Sequence, residues 1–186
     1  MIGDLPESVK VGGRTRAIRT DFRDILRIIE AFNDPELEPS EKVFVCLFIL
    51  YKDFDGILPE EYQEAYKQAV KFIDLGEDPD ENSSPRVMDW EQDEKILFPA
   101  INEVAGFETR SRKHLHWWTF MGYFMEIHDG TFSQVVTLRQ KRAKGKKLEK
   151  WEREFWTANK KLCKLRPKLT LEEERQKAKL RALLDG

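Results

Sequence analysis

The chain has 186 residues, of which 40% are hydrophobic and 35% charged, and its formal net charge is −2. This balance is typical of a globular chain and excludes a disordered one, and the length suits one domain with or without an appended tail. The longest apolar runs, at 43–50 and 117–125, fall short of the ~20 residues of a membrane-spanning helix. The amino terminus lacks a secretory signal pattern, so we expect the protein to act in the compartment where it is made.

The first predicted element is a β-hairpin over residues 8–18. Valines alternate before a Gly12-Gly13 pair, and two glycines supply the positive φ angles that a tight turn requires. A hairpin alone is marginal in water, so we expect it to lie on the rest of the molecule or on another subunit. At Thr20, a good N-cap, the pattern changes to that of a helix ending near Phe32.

Three more helices are predicted between residues 41 and 104. The second runs from Glu41 to about Tyr51 with Ser40 as its cap, and the third is opened by Pro59. Residues 76–85 are polar, acidic and rich in turn formers, which predicts a linker. The fourth helix is predicted over 89–104, where Pro99 should kink or split it.

The second half of the chain is also helical in pattern. The fifth, sixth and seventh helices are predicted over 111–128, 131–143 and 148–165. Thr170 and Glu173 form a capping-box pattern that starts a last helix, charged nearly all round and running to Leu184. Such a helix projects, frays or packs on another subunit.

These elements predict a mainly α fold, an irregular multi-helix bundle with one N-terminal β-hairpin. We expect a single helical domain over 1–165 and a charged C-terminal helix over 166–186.

The stretch 114–132, HLHWWTFMGYFMEIHDGTF, is almost uncharged, and its large apolar residues go all the way round a helix. Such a helix is buried in a globular protein, although paired tryptophans also occur on exposed partner-binding surfaces. We predict burial for this stretch and for the aromatic stripes of the neighbouring helices. The predicted core aromatics are Trp90, Trp117, Trp118, Phe120, Phe124, Trp151 and Phe155.

The patterns do not predict a metal, cofactor or catalytic site. His114 and His116 would point about 200° apart on a helix, which is unsuited to joint metal binding. The loop 53–62 resembles a calcium loop, but tyrosines stand where its first and last acidic ligands belong. The acidic run 89–94 could hold a cation, but the helix dipole alone accounts for acids in a first turn. The cysteines, Cys46 and Cys163, belong to no CxxC pair, so we expect reduced thiols. The sequence has no GxSxG, P-loop or GxGxxG motif, and we therefore expect a non-enzymatic protein.

Charge is unevenly distributed along the chain. Residues 30–108 carry 21 acidic against 6 basic side chains, a net of −15, and residues 139–168 carry 13 basic against 3 acidic, a net of +10. Such segregation predicts ion pairs within the fold or attraction to another molecule, including head-to-tail self-association.

The basic segment 139–156 is the candidate interaction surface. Lys and Arg with interleaved aromatics can bind phosphates and stack on bases. Its tryptophans nevertheless fall on an apolar helical stripe, and a pI near 6.0 is unlike that of a dedicated nucleic-acid binder, so we favour protein partners. The candidate residues are Arg139, Lys141, Arg142, Lys146, Lys147 and Lys150.

Three stretches together resemble one protein family: LPESVKVGG…IRTDFRDIL, DWEQDEKILFPAINEVAGF and LHWWTFMGYF. From about Leu5 to Trp156 the chain is similar to the phage gene product fifteen family, small proteins from phages and prophages of Gram-positive bacteria. It departs from the family pattern at FPAINEVAGFETRS and after about Arg166.

The resemblance implies a tail-assembly protein, encoded between the major tail protein and the tape-measure protein, and it carries over no catalytic residue. The implied role is a chaperone that binds the apolar, helical tape-measure protein in the host bacterial cytoplasm until the tail tube forms. A structural tail or connector component, or a nucleic-acid-binding protein using 139–150, are the alternatives.

Overall fold

Helices dominate the computed structural model, which describes residues 3–77 and 85–184. Two strands form an N-terminal hairpin, β1 (Ser8–Val11) and β2 (Arg14–Ala17). The helices in the described residues are α1 (Phe22–Asn33), α2 (Pro39–Leu50), α3 (Tyr62–Ile73), α4 (Glu94–Ala105), α5 (Trp117–Met125), α6 (Thr131–Ala143), α7 (Lys150–Ala158), α8 (Lys160–Cys163) and α9 (Leu171–Leu184). The prediction of a mainly α fold with one N-terminal hairpin is confirmed. Most of the predicted linker, residues 78–84, lies outside the described residues.

The hairpin is antiparallel and lies on α3. Gly12 and Gly13 form its turn with φ of 57° and 71°, as the sequence predicts. The Gly12 N–H donates to Glu64 Oε2 at 3.1 Å, and the buried Arg16 guanidinium donates to the Gly56 carbonyl at 2.6 Å. The hairpin therefore gains its stability from contacts with the loop before α3 and with α3 itself.

Asp21, and not Thr20, is the N-cap of α1. Its carboxylate accepts a hydrogen bond from the Arg23 N–H at 3.0 Å and another from the Leu115 N–H at 3.0 Å. The Thr20 carbonyl accepts from the Trp117 N–H at 2.7 Å. Backbone pairing with residues 115–117 thus keeps Thr20 and Asp21 extended and delays the helix start by one residue.

The fifth helix is shorter than predicted. The pattern predicted 111–128, whereas α5 begins at Trp117, because the preceding residues run extended to pair with the segment before α1. The seventh predicted helix, 148–165, is broken at Asn159 into α7 and α8.

Pro99 does not split α4, which runs continuously from Glu94 to Ala105. Pro99 removes the helical hydrogen bond to the carbonyl of Lys95, and both residues are exposed. The predicted start of this helix at Asp89 was too early. Residues 90–93 form turns, and Asp93 is the N-cap.

The main core lies between α1, α2, α3, α4 and α5. Its largest fully buried side chains include Phe22, Ile25, Ile28, Leu47, Leu50, Leu97, Ile101, Trp117 and Phe120. A smaller buried group, Val135, Leu138 and Cys163, joins α6 to α8. In the part of the chain that is described, no helix has the length and apolar character needed to cross a bilayer.

The last helix begins with the predicted capping box. The Thr170 N–H donates to Glu173 Oε2 at 2.8 Å, and the Glu173 N–H donates to Thr170 Oγ1 at 3.2 Å. The Leu171 N–H is hydrogen-bonded to Glu36. Leu171 and Leu180 are exposed, as expected for a helix that projects from the bundle.

Candidate protein-binding groove

A groove of about 410 Å³ lies between α1 and the start of α4. Its floor is apolar, and charged side chains line its edges. The floor residues are Phe22, Leu26, Ile29, Trp90 and Phe98, and the edge residues include Arg23, Arg27, Glu30, Asp89, Glu91, Glu94, Arg110 and Lys168.

The aromatic stretch of α5 supports the floor from below. The Phe22 ring stacks on Phe120 with 4.4 Å between centroids and an interplanar angle of 8°. Phe98 lies 6.0 Å from the same ring, and Trp90 lies 5.3 Å from Phe124. Aromatic pairs at these separations add to the stability gained by burial, so the floor is held in shape by the core.

Two arginines on one edge lie over floor rings. The Arg23 guanidinium is 4.5 Å from the Phe22 centroid, and that of Arg110 is 4.7 Å from the Phe98 centroid. Arg23 also donates to the backbone carbonyls of Arg110 and Arg112, both at 2.8 Å. These contacts hold both guanidinium groups in place at the edge of the groove.

Each of these arginines is paired with a carboxylate. Arg110 donates to Glu108 at 2.8 and 3.1 Å, and this hydrogen bonding lowers the pKa of Glu108 to about 2. Burial alone would raise the pKa of Asp21, but hydrogen bonds from the Leu115 and Arg23 N–H groups and from the Arg23 side chain hold it below its ordinary value.

The acidic run 89–94 supplies most of the carboxylates at the groove edges, and Glu94 lies 3.7 Å from Arg110. The Lys168 ammonium lies 3.6 Å from Asp89 and 3.5 Å from Glu91, and Arg86 pairs with Asp89. Burial would raise the pKa of Asp89, but the Gln92 N–H, Arg86 and Lys168 lower it overall. Among the residues that the structure describes, no group of three or more His, Cys, Asp or Glu is placed to hold a metal ion.

Arg139 was predicted as an exposed interaction residue, and that prediction is wrong. Its side chain is only 3% exposed and makes a two-point ion pair with Asp93 at 2.6 and 2.8 Å. It also donates to the carbonyls of Val87, Leu162 and Cys163 at 3.1, 2.7 and 2.9 Å. The acidic segment and the basic segment are therefore joined by a buried ion pair within the fold.

Of the remaining candidate residues, some have partners within the chain and most are exposed. Lys141 pairs with the buried Glu152, and the Arg142 guanidinium lies 4.4 Å from the Trp156 ring centroid. Arg142, Lys146, Lys147 and Lys150 are exposed. Of the six candidate residues, only Arg139 is thus removed from the surface.

The predicted core aromatics differ in their burial. Trp117 and Phe120 are buried, and Trp90, Trp118 and Phe124 are partly buried against the core. Phe155 is half-buried. Trp151 was predicted in the core, but it is 55% exposed because α7 turns Glu152 inward to meet Lys141 and packs on α8.

The paired tryptophans join α5 to the end of α3. The indole N–H of Trp117 donates to the Ile73 carbonyl at 2.8 Å, and that of Trp118 donates to the Phe72 carbonyl at 2.9 Å. His116 accepts from the Trp118 N–H through Nδ1 at 3.1 Å, so its Nε2–H donates to the Pro6 carbonyl at 3.0 Å. The histidines and tryptophans of this stretch therefore connect distant parts of the chain.

The sequence interpretation missed a second exposed apolar surface. Phe44 and Phe48, four residues apart on α2, are 52% and 57% exposed. Their i, i+4 spacing places them on one helical face, but the continuous apolar run around them gives no periodicity that distinguishes this face from the buried one.

Comparison with models of known protein families gives a match over most of the chain. The model of the family described as "Bacteriophage Gp15 protein" matches residues 1–165. No curated protein and no solved structure shows significant similarity to the chain.

Proposed function

This chain belongs to the bacteriophage Gp15 family, and from that premise we propose that it is a non-enzymatic chaperone that binds the tape-measure protein during tail assembly. Membership indicates a phage structural or assembly protein. The observation that carries the finer proposal is the groove between α1 and α4, because its apolar floor and charged edges suit an amphipathic partner helix.

A partner helix would place its apolar stripe on Leu26, Ile29 and Trp90. Each large apolar side chain buried there contributes about 1.5–3 kcal/mol, so two or three anchors give a moderate affinity. Moderate affinity suits a chaperone, which must release its client when the tail tube assembles. A groove of about 410 Å³ covers one short stretch of helix, so a long tape-measure protein needs several copies of this chain.

The charged edges restrict which helices bind. Arg110 lies 3.7 Å from Glu94, and Lys168 lies 3.5 Å from Glu91, so the groove edges carry charges of both signs. A partner helix whose flanking charges complement this arrangement is favoured, because a mismatched helix brings like charges together.

Co-expression with the tape-measure protein of the same phage, in a bacterial cytoplasm, tests the proposal. We expect the tape-measure protein to become soluble and to elute together with this chain. If it is equally soluble alone and no complex elutes, the proposal fails.

Groove variants locate the contact. Leu26→Glu changes the floor, and Arg27→Glu changes the edge at a side chain that is 69% exposed. The matched control is Val104→Glu on α4, since Val104 is also exposed but does not line the groove. Both groove variants should reduce co-elution and the control should not, with the melting temperature of each variant reporting its folding.

The family is also consistent with a structural tail component that stays in the virion. Mass spectrometry of purified particles separates the two roles, because a chaperone is depleted from mature tails. Recovery of this chain in fixed proportion to tail-tube subunits would contradict the chaperone proposal.

A further inference from the structure

Two exposed phenylalanines, Phe44 and Phe48, form a cluster with the half-buried Phe54 on the side of the molecule that carries α2. Phe44 and Phe48 lie 5.9 Å apart, and both rings meet Phe54 edge-on at 5.4 and 5.8 Å. Tyr62 stacks on Phe54 at 5.7 Å and supports it from α3. We call Phe44, Phe48 and Phe54 the aromatic patch. Exposed aromatics grouped in this way mark an interaction site more often than single exposed residues do.

The aromatic patch lies in an acidic part of the chain. Residues 38–64 carry seven acidic and two basic side chains, a net of −5. Glu41, Asp53 and Asp55 are exposed, and the Asp53 side chain is 74% exposed. The surface therefore favours an apolar group that is flanked by cations.

The same chain presents such a group at the start of α7. Trp151 is 55% exposed, and Lys146, Lys147 and Lys150 just before it are exposed. We call these four residues the tryptophan edge. Residues 144–161 carry seven basic and three acidic side chains, a net of +4. One of those acids, Glu152, is buried and paired with Lys141, which leaves the surface more basic than the sequence count.

We propose that the aromatic patch of one copy binds the tryptophan edge of a second copy, so that the chain associates head to tail. Tryptophan and phenylalanine supply the apolar contact, and lysines near aromatic faces and carboxylates supply the electrostatic one. This inference goes beyond the client-binding role and does not depend on it.

The two surfaces belong to different parts of the fold, which decides the form of the assembly. The helix α2 packs on α1 and α3, whereas α7 packs on α8. A contact between two unlike surfaces leaves one of each free on the growing assembly, so copies add until a ring closes or a filament extends. Repeated copies in a row would present repeated grooves to one long client.

The mass in solution tests this arrangement. We expect the average mass of the purified full-length chain, measured by light scattering after size-exclusion chromatography, to rise with protein concentration. It should fall at high salt, because screening weakens the charge complementarity. A monomer at every concentration, or association strengthened by salt, would overturn the proposal.

Two single variants each block one surface. Phe48→Lys brings a positive charge against the lysines of the tryptophan edge, and Trp151→Glu brings a negative charge against the acidic surroundings of the aromatic patch. Each should weaken association about tenfold or more, since an aromatic anchor is replaced by a repelled charge. Val104→Lys is the matched control, because Val104 is 38% exposed on α4 and belongs to neither surface.

An equimolar mixture of the two blocked variants gives the sharpest result. The intact tryptophan edge of Phe48→Lys fits the intact aromatic patch of Trp151→Glu, so the mixture should form dimers that cannot extend. A mixture that stays monomeric contradicts head-to-tail binding. Loss of association in Phe48→Lys alone, with Trp151→Glu unaffected, would instead mean that the patch pairs with itself, and the proposal would be wrong.

Discussion

Arg139 and Asp93 form a buried ion pair whose removal has a calculable effect on stability. The Asp93 side chain is 0% exposed and that of Arg139 is 3% exposed, so Arg139→Met leaves a carboxylate in the interior with its cation removed. It also removes the donor to the carbonyls of Val87, Leu162 and Cys163. Breaking a buried pair from one side costs about 3–5 kcal/mol, which is a fifth or more of the roughly 5–15 kcal/mol that holds a typical domain folded.

Urea unfolding followed by tryptophan fluorescence and circular dichroism measures this cost. A loss of about 3–5 kcal/mol in the free energy of unfolding corresponds to a melting temperature lower by about 6–20 °C in a chain of this size. Lys147→Met, at an exposed lysine, is the matched control and should change the free energy of unfolding by less than about 0.5 kcal/mol.

A second substitution tests the mechanism. In the double variant Asp93→Asn with Arg139→Met, neither charge remains, and the Asn side chain can still accept the hydrogen bond that the Asp89 N–H makes with Asp93 at 3.0 Å. The double variant should therefore recover about 1 kcal/mol or more relative to Arg139→Met alone. The account of a desolvated pair that joins α6 to the start of α4 would be refuted by either of two results. One is that the losses in the free energy of unfolding of the two single variants simply add in the double variant, and the other is that Arg139→Met is as stable as the control.

Trp117→Phe should lower the free energy of unfolding by about 1–3 kcal/mol, because the Ile73 carbonyl loses a buried donor, and a loss within error in urea titration would contradict this. The pKa of Asp21 is lowered in the folded state, so its contribution to stability is present above its ordinary pKa of 3.8 and is lost as the pH falls through the lower, folded value. Asp21→Asn should therefore be less stable than the parent near neutral pH, and the gap should narrow below about pH 4; a gap independent of pH in melting experiments would be the opposite result. Burial raises the pKa of Cys46 to about 12 and also raises that of Cys163, so a thiol reagent at about pH 8 should label neither in the native protein and both in denaturant, and rapid native labelling would count against their burial.

The helix pattern could be predicted from the sequence wherever it depends on local chemistry. The Gly12-Gly13 turn and the Thr170–Glu173 capping box require only neighbouring residues, and both are present. The start of α5 depends on residues far along the chain. Pairing of 115–117 with Thr20 and Asp21 overrides a good helical pattern, and no local signal predicts it.

The candidate sites were harder to predict than the elements. Arg139 lies in a run of lysines and arginines, but the partner that buries it, Asp93, is 46 residues away. The hydrophobic stripe of α7 predicted the burial of Trp151, whereas the Lys141–Glu152 pair turns that helix the other way. The groove forms where α1, α4 and the turn before α4 come together, and the periodicity of a single helix does not predict such a tertiary arrangement.

The hydrogen bonds of residues 114–118 have a consequence for synthesis. His116 contacts Pro6 across 110 residues, and Trp117 and Trp118 satisfy carbonyls at the end of α3. While the ribosome is still translating the first hundred codons, the hairpin and the first three helices lack these closing bonds, and the Phe22 ring lacks its stacking partner, Phe120. The amino-terminal half thus completes its tertiary structure only after the double tryptophan has left the exit tunnel, so a transcript truncated before that point should yield a nascent product prone to aggregation and proteolysis.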